Sequence, residues 1–125
     1  MAGPMKLSPS SVAVLVSDKK KAVRWYTKKL GLDLIDDGEH WAVVGDKKRG
    51  IGLHLCQMTG ARGKPKLEKG NTGILILTDG ELLPTYRAMK RRGIRFPHPP
   101  QKTEWGWFCM FADPDGNEFW LNPNE

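Results

Sequence analysis

The sequence predicts an α+β fold made of two βαβββ modules in a pseudo-two-fold arrangement. Three observations carry that prediction. Short β-branched and apolar runs, each closed by turn residues, recur along the chain. The order strand–Asp–helix–Gly–strand occurs twice. Its landmarks repeat at nearly one offset, Asp79 lying 61 residues after Asp18 and Gly93 62 after Gly31, which indicates an internal structural duplication.

Residues 12–16 are β-branched and apolar and predict a buried strand. Asp18 suits a helix N-cap, and residues 19–30 place Ala22, Val23, Tyr26 and Leu30 at helical spacing. Gly31 supplies the left-handed residue that ends the helix. Strands follow at 32–35, 40–44 and 51–57, separated by turns at Gly38-Glu39 and 47–50. A polar connector over 58–71, with several Gly, Lys and Arg, predicts a linker or lid. The second module begins with a strand at 73–77. A helix over 82–92 carries Pro84 where the first turn tolerates it and is closed by Gly93. Residues 94–96 form a strand, 97–100 a proline-rich loop, and 107–112 and 118–122 a hairpin closed at Asp113-Pro114-Asp115-Gly116-Asn117. The expectation is one domain over 1–125, with module one at about 8–57, the linker at 58–71 and module two at 72–123.

Apolar residues make up 39% of the chain and charged residues 27%, the proportions of an ordinary globular protein. No apolar run approaches a membrane span, and the segment MAGPMKLSPSS has no hydrophobic signal core, so a cytoplasmic protein without membrane contact is expected. Cys56 and Cys109 each sit in an apolar run outside any C-x-x-C pair, and two buried free thiols are expected. The net charge is +6, with clusters at 19–21, 28–29, 47–49 and 87–92. Such clusters are either a solvated surface or an attractor for an anionic ligand or nucleic acid.

Val12 to Asp18, then Trp25-Tyr26, then Leu30-Gly31-Leu32, resemble the opening of a vicinal-oxygen-chelate domain, the glyoxalase, bleomycin-resistance and extradiol dioxygenase type. Trp105-Gly106, the Asp-Pro-Asp-Gly-Asn turn and Phe119-Trp120-Leu121 resemble its last hairpin, so the likeness spans nearly the whole chain. The resemblance implies a cupped, half-open mixed sheet around a small-molecule site. In the family's metalloenzymes, four positions on the first and last strands of the modules hold a divalent ion. Carried over, these positions fall on Ser11, on Gly73 (or Thr72 one residue earlier), on His54 and on Trp120. Only His54 is a competent ligand among them, so no metal site and no cofactor are expected.

The ligand-binding residues expected from the resemblance are Ser11, His54, Trp105, Trp107 and Trp120. His54 shares a strand face with Gly52 and Cys56. It is either a polar or acid/base group of the pocket or a core histidine bonded to backbone. Trp120 would fill the space of an ion and its waters, and Trp105 and Trp107 would wall an aromatic pocket, unless these rings simply close the core. Glu104 is either a pocket carboxylate or a loop residue. No phosphate loop, nucleophile elbow or H-E-x-x-H stretch occurs.

The expected function is a metal-independent small-molecule-binding protein, a homodimer whose ligand is anionic or aromatic. Bleomycin itself, being cationic, suits a chain of net charge +6 poorly. One alternative is a metal-dependent lyase, isomerase or dioxygenase-like enzyme, akin to lactoylglutathione lyase, with His54 joined by Glu104 or Glu118 around the ion. A basic nucleic-acid-associated protein comes last, since no aromatic-basic RNA-binding motif is present.

Overall fold

The computed structural model describes Met5 and residues 11–48, 51–57, 70–104 and 106–123. Among these residues eight strands form two four-stranded mixed sheets. Module one contributes β1 (Ser11–Val16), α1 (Lys19–Arg24), β2 (Asp33–Asp37), β3 (Trp41–Gly45) and β4 (Gly52–Gln57). Module two contributes β5 (Gly70–Thr78), α2 (Leu82–Arg91), β6 (Arg95–Thr103), β7 (Gly106–Ala112) and β8 (Asn117–Pro123). The sheet orders are β1-β4-β3-β2 and β5-β8-β7-β6, so one topology occurs twice. In each sheet the first strand runs parallel to the last, and the remaining pairs are antiparallel.

Local chemistry sets the helix ends. Asp18 accepts a hydrogen bond from the Lys21 amide at 3.1 Å, as an N-cap should. α1 widens into a single π-helical turn, Trp25–Lys29, closed by the Leu30 amide donating to the Trp25 carbonyl at 3.4 Å. Gly31 and Gly93 have φ of 74° and 83°, a conformation that costs an L-residue with a side chain. After α2, the amides of Gly93 and Ile94 donate to the carbonyls of Lys90 and Met89, the double bond of a Schellman closure. Asp79 does not repeat the role of Asp18. The N-cap of α2 is Glu81, which makes no side-chain capping bond.

The sequence reading needs correction at two strands. Residues 97–100 are not a loop but the middle of β6. β6 lies at the sheet edge, where a missing proline N–H costs no ladder bond, and its pairing with β7 shifts register twice. Gly70 and Asn71, assigned to the connector, open β5 and pair with Asn117 and Glu118. The rest of that connector, 58–69, and half of the 47–50 turn lie outside the described residues.

One core serves both modules. Val14, Val16, Val44 and Leu55 of the first sheet join Cys109, Phe111, Phe119 and Leu121 of the second, with Ala22, Tyr26, Leu82 and Met89 from the helices. The first helix touches both sheets. It contacts β3 and β4, while Trp25 lies 6.5 Å from Phe111 and Tyr26 meets Phe119 edge-on at 6.1 Å, centroid to centroid. The Tyr26 hydroxyl donates to buried Asp113 at 2.6 Å, and the Asn117 amide nitrogen Nδ2 donates to the Leu15 carbonyl at 2.9 Å. These bonds fasten module one to the closing turn of the last hairpin. Among the described residues no helix is long and apolar enough to cross a membrane.

Candidate functional site

Strand alternation divides each sheet into a face on the shared core and a face turned away from it. In the first sheet Val14, Val16, Ala42, Val44, Leu53 and Leu55 take the core. The outer face therefore carries Ser11 and Ala13 on β1, Trp41 and Val43 on β3, and Gly52, His54 and Cys56 on β4. The register fixes this, with Ser11 opposite Gly52, Ala13 and Val43 opposite His54, and Trp41 opposite Cys56. His54 is half-buried, and its ring meets Trp41 edge-on at 5.2 Å. Two glycines shape this face. A Cβ on Gly38 would lie 2.2 Å from the Trp41 indole, and one on Gly52 2.7 Å from Val43 Cγ1. The bare backbone at Gly38 is what lets the indole fold down.

The outer face of the second sheet is more apolar. β8 presents Glu118, Trp120 and Asn122, β7 presents Phe108, Met110 and Ala112, and β5 presents Leu75 and Leu77. The rings of Phe108 and Trp120 are 5.0 Å apart and tilted by 38°. Leu75 and Leu77 are each 55% exposed. At one margin His98 Nε2 stands 3.9 Å from Glu118 Oε1. The Asn122 Oδ1 atom is buried and accepts no hydrogen bond among the described residues. A buried acceptor left without a donor is uncommon and costly.

Ser11 and His54 thus share one face, and Trp120 lies on the outer face of the other sheet. Trp107 is a correction. Alternation along β7 sends Trp107 to the opposite side from Phe108 and Met110, where it lines a cleft with Glu81, Leu82, Leu83 and Pro123. Phe108 takes the place assigned to it in the aromatic wall. The strand's start does not decide this: Trp107 alternates with Phe108 and so shares a face with Cys109 and Phe111, which the core buries. Trp105 lies outside the described residues. Trp25 packs on the core through Tyr26 and Phe111. Sequence reasoning missed Phe108, Asn122 and the Leu75/Leu77 pair. All three could have been found by running alternation outward from Trp120.

Among the described residues, no three His, Cys, Asp or Glu side chains are grouped so as to hold a metal ion. His54 is on the first sheet, Glu118 faces His98 on the second, and Glu104 is exposed at the turn before β7. The donor set therefore does not fit the family's divalent ion. Neither cysteine is in a disulfide. Burial pushes the Cys109 thiol up to about 12, which removes it as a nucleophile at neutral pH. Cys56 is only half-buried, so the expectation of two buried thiols holds for Cys109 alone. Burial, and then the neighbouring Asp113 carboxylate, push the Tyr26 phenol far above its ordinary range, so it acts as a permanent hydrogen-bond donor.

The family model described as the Glyoxalase/Bleomycin resistance protein/Dioxygenase superfamily matches residues 8–121. The uncharacterized protein YetH of Bacillus subtilis (strain 168) is 30% identical over 116 residues, covering 89% of this chain and 93% of YetH. A solved structure of a member of the same superfamily from Sphaerobacter thermophilus DSM 20745 superposes with a TM-score of 0.83 at 28% identity, over 97% of this chain and 100% of that one. TnmS3, an antibiotic binding protein from Streptomyces sp. CB03234, superposes with a TM-score of 0.72 at 31% identity, over 98% of this chain and 100% of its own.

Proposed function

Because the chain belongs to the glyoxalase/bleomycin resistance/dioxygenase superfamily, we propose that it is a small-molecule-binding member that works without a metal and binds a flat, apolar or aromatic ligand on its outer sheet faces. The observation that carries this reading is the aromatic and aliphatic outer face of the second sheet, Phe108, Trp120, Leu75 and Leu77. Rings stacked on such a face gain about 25 cal/mol per Å² of apolar area buried, before the costs of association. The similarity to TnmS3, an antibiotic binding protein, supports a small-molecule ligand. Net charge +6 favours an anionic over a cationic compound.

In this reading the protein is a homodimer. One chain leaves the His54 face and the Trp120 face each turned away from the shared core, and a second copy supplies the opposite wall. Ser11 and His54 then contribute polar groups, and Trp41 steadies the imidazole. The absence of a metal rests on the donor chemistry: Ser11, Gly73 or Thr72 and Trp120 offer no adequate partner to His54.

The test is tryptophan fluorescence quenching against a panel of anionic aromatic compounds, on the parent and on Trp120→Ala and Trp25→Ala variants. Binding should weaken at least tenfold in Trp120→Ala and persist in Trp25→Ala. Light scattering should report a dimer. Equal binding by the parent and Trp120→Ala, or a monomer that binds as well as the dimer, refutes the assignment.

A further inference from the structure

A second cavity lies at the seam between the modules. It has a volume of about 450 Å³, within the range of small-molecule pockets. Leu30 and Leu32 line it from the end of the first helix, Ile76 from β5 and Met89 from α2. Met89 is buried, and the other three are half-buried against the core. Lys29, Arg92 and Asp79 also line it and are exposed, which places them at its mouth.

The mouth has a specific construction. Lys29 Nζ donates to the Arg92 carbonyl at 2.8 Å, and Arg92 Nη1 donates to the Lys29 carbonyl at 2.9 Å. This reciprocal clasp brings the C-terminal ends of both helices together. It uses one N–H of an ammonium that carries three and one of a guanidinium that carries five. The segments it joins hold no acidic residue. Residues 19–29 and 82–92 carry ten Lys and Arg between them and no Asp or Glu. Among the described residues Asp79 is the one acid lining the mouth, against two clasped cations and their sequence neighbours Lys28, Lys90 and Arg91. The cavity is thus an apolar floor beneath a positive rim.

We infer that this seam binds a small anionic amphiphile, an apolar body with a single carboxylate. The body lies against Leu30, Leu32, Ile76 and Met89. The carboxylate accepts from the remaining N–H groups of Lys29 and Arg92, a charge-assisted arrangement for which guanidinium geometry is suited. A neutral amphiphile forfeits the rim, and a cationic one is repelled by it. Apart from Leu77, which also lines the cavity, the site uses none of the outer-face residues named above.

The test is titration of the ¹⁵N-labelled full chain with decanoate below its micelle concentration, with decanol as the neutral control. Saturable amide shifts at Leu30, Leu32, Ile76 and Ala88 are expected, with decanol binding about tenfold more weakly. Ala88 lines the cavity, and Ala88→Trp should fill it and abolish binding. A Lys29→Gln/Arg92→Gln double variant should weaken binding about tenfold, and it decides the matter if Ala88→Trp does not fold. Shifts confined to Leu75, Phe108 and Trp120, equal binding of decanol and decanoate, or no saturation would each overturn the inference.

Discussion

Replacing Tyr26 by Phe removes one hydroxyl and leaves the ring in place against Phe119 and Trp25. The hydroxyl donates at 2.6 Å to Asp113, which is 2% exposed. That carboxylate collects four donors. Tyr26 and Asn117 Nδ2 reach Oδ2, and the amides of Asp115 and Asn117 reach Oδ1 at 2.9 and 2.8 Å. Losing one of four bonds to a buried charge should cost about 1.5–3 kcal/mol, the range for hydrogen bonds to charged groups. For a chain of 125 residues that is a fall in melting temperature of roughly 6–11 °C. Urea denaturation followed by far-UV dichroism measures it, and an unchanged m-value shows that only the native state was affected. A double-mutant cycle with Asp113→Asn should give a coupling of at least about 1 kcal/mol. A loss below about 0.5 kcal/mol, or no coupling, would show that the bond does not fasten the modules and that the argument from burial is wrong.

Four further outcomes are expected. Stability should decline on the alkaline side: the unfolded chain releases the Cys109 proton near pH 9.0 while the folded chain holds it to about 12. Each such group costs up to about 1.4 kcal/mol per pH unit in that window. Tyr26, ordinarily near 10.0 and raised by burial, extends the decline from pH 10 upward; Cys109→Ala should delay its onset, as pH-dependent urea midpoints would show. At pH 8 a thiol reagent should label Cys56 in the folded protein and leave Cys109 unlabelled until urea is added; equal rates would contradict the burial assigned to Cys109. Elemental analysis of protein purified without a chelating tag should find no stoichiometric zinc, nickel, iron or manganese; about one ion per chain, lost on His54→Ala, would overturn the metal-free reading. Gly31→Ala should destabilise by about 1 kcal/mol, because φ of 74° suits only glycine, and a neutral effect in a thermal melt would disprove that strain.

The parts of the fold legible in the sequence are those where one residue has one physical use. Gly31 and Gly93 end helices because they alone accept positive φ cheaply. The Asp-Pro-Asp-Gly-Asn turn closes the last hairpin, with the Asp113 amide donating to the Asn117 carbonyl. Residues 97–100 were misread because proline marks either a loop or a sheet edge, and position within the sheet is a tertiary fact. Of the residues named from the sequence, Ser11 and His54 lie on one face of the first sheet, as counting along strands groups them. Trp107 was misplaced because alternation groups it with Cys109 and Phe111 but does not by itself say which group the core buries. Nothing in the sequence separates the outer face of one sheet from that of the other. That separation follows from the first helix packing on both sheets at once.

The prolines of β6 have a consequence for how these molecules meet each other in a crowded solution. Pro97, Pro99 and Pro100 stand on a border strand and offer no N–H to an incoming chain. The opposite border of the other sheet, β2, is DLIDD, with three carboxylates repelling their own kind. Neither border can template a ladder that grows from molecule to molecule. Growth past those two borders is blocked, which leaves β1 and β5, the first strands of the two sheets, as the borders where a further strand could add.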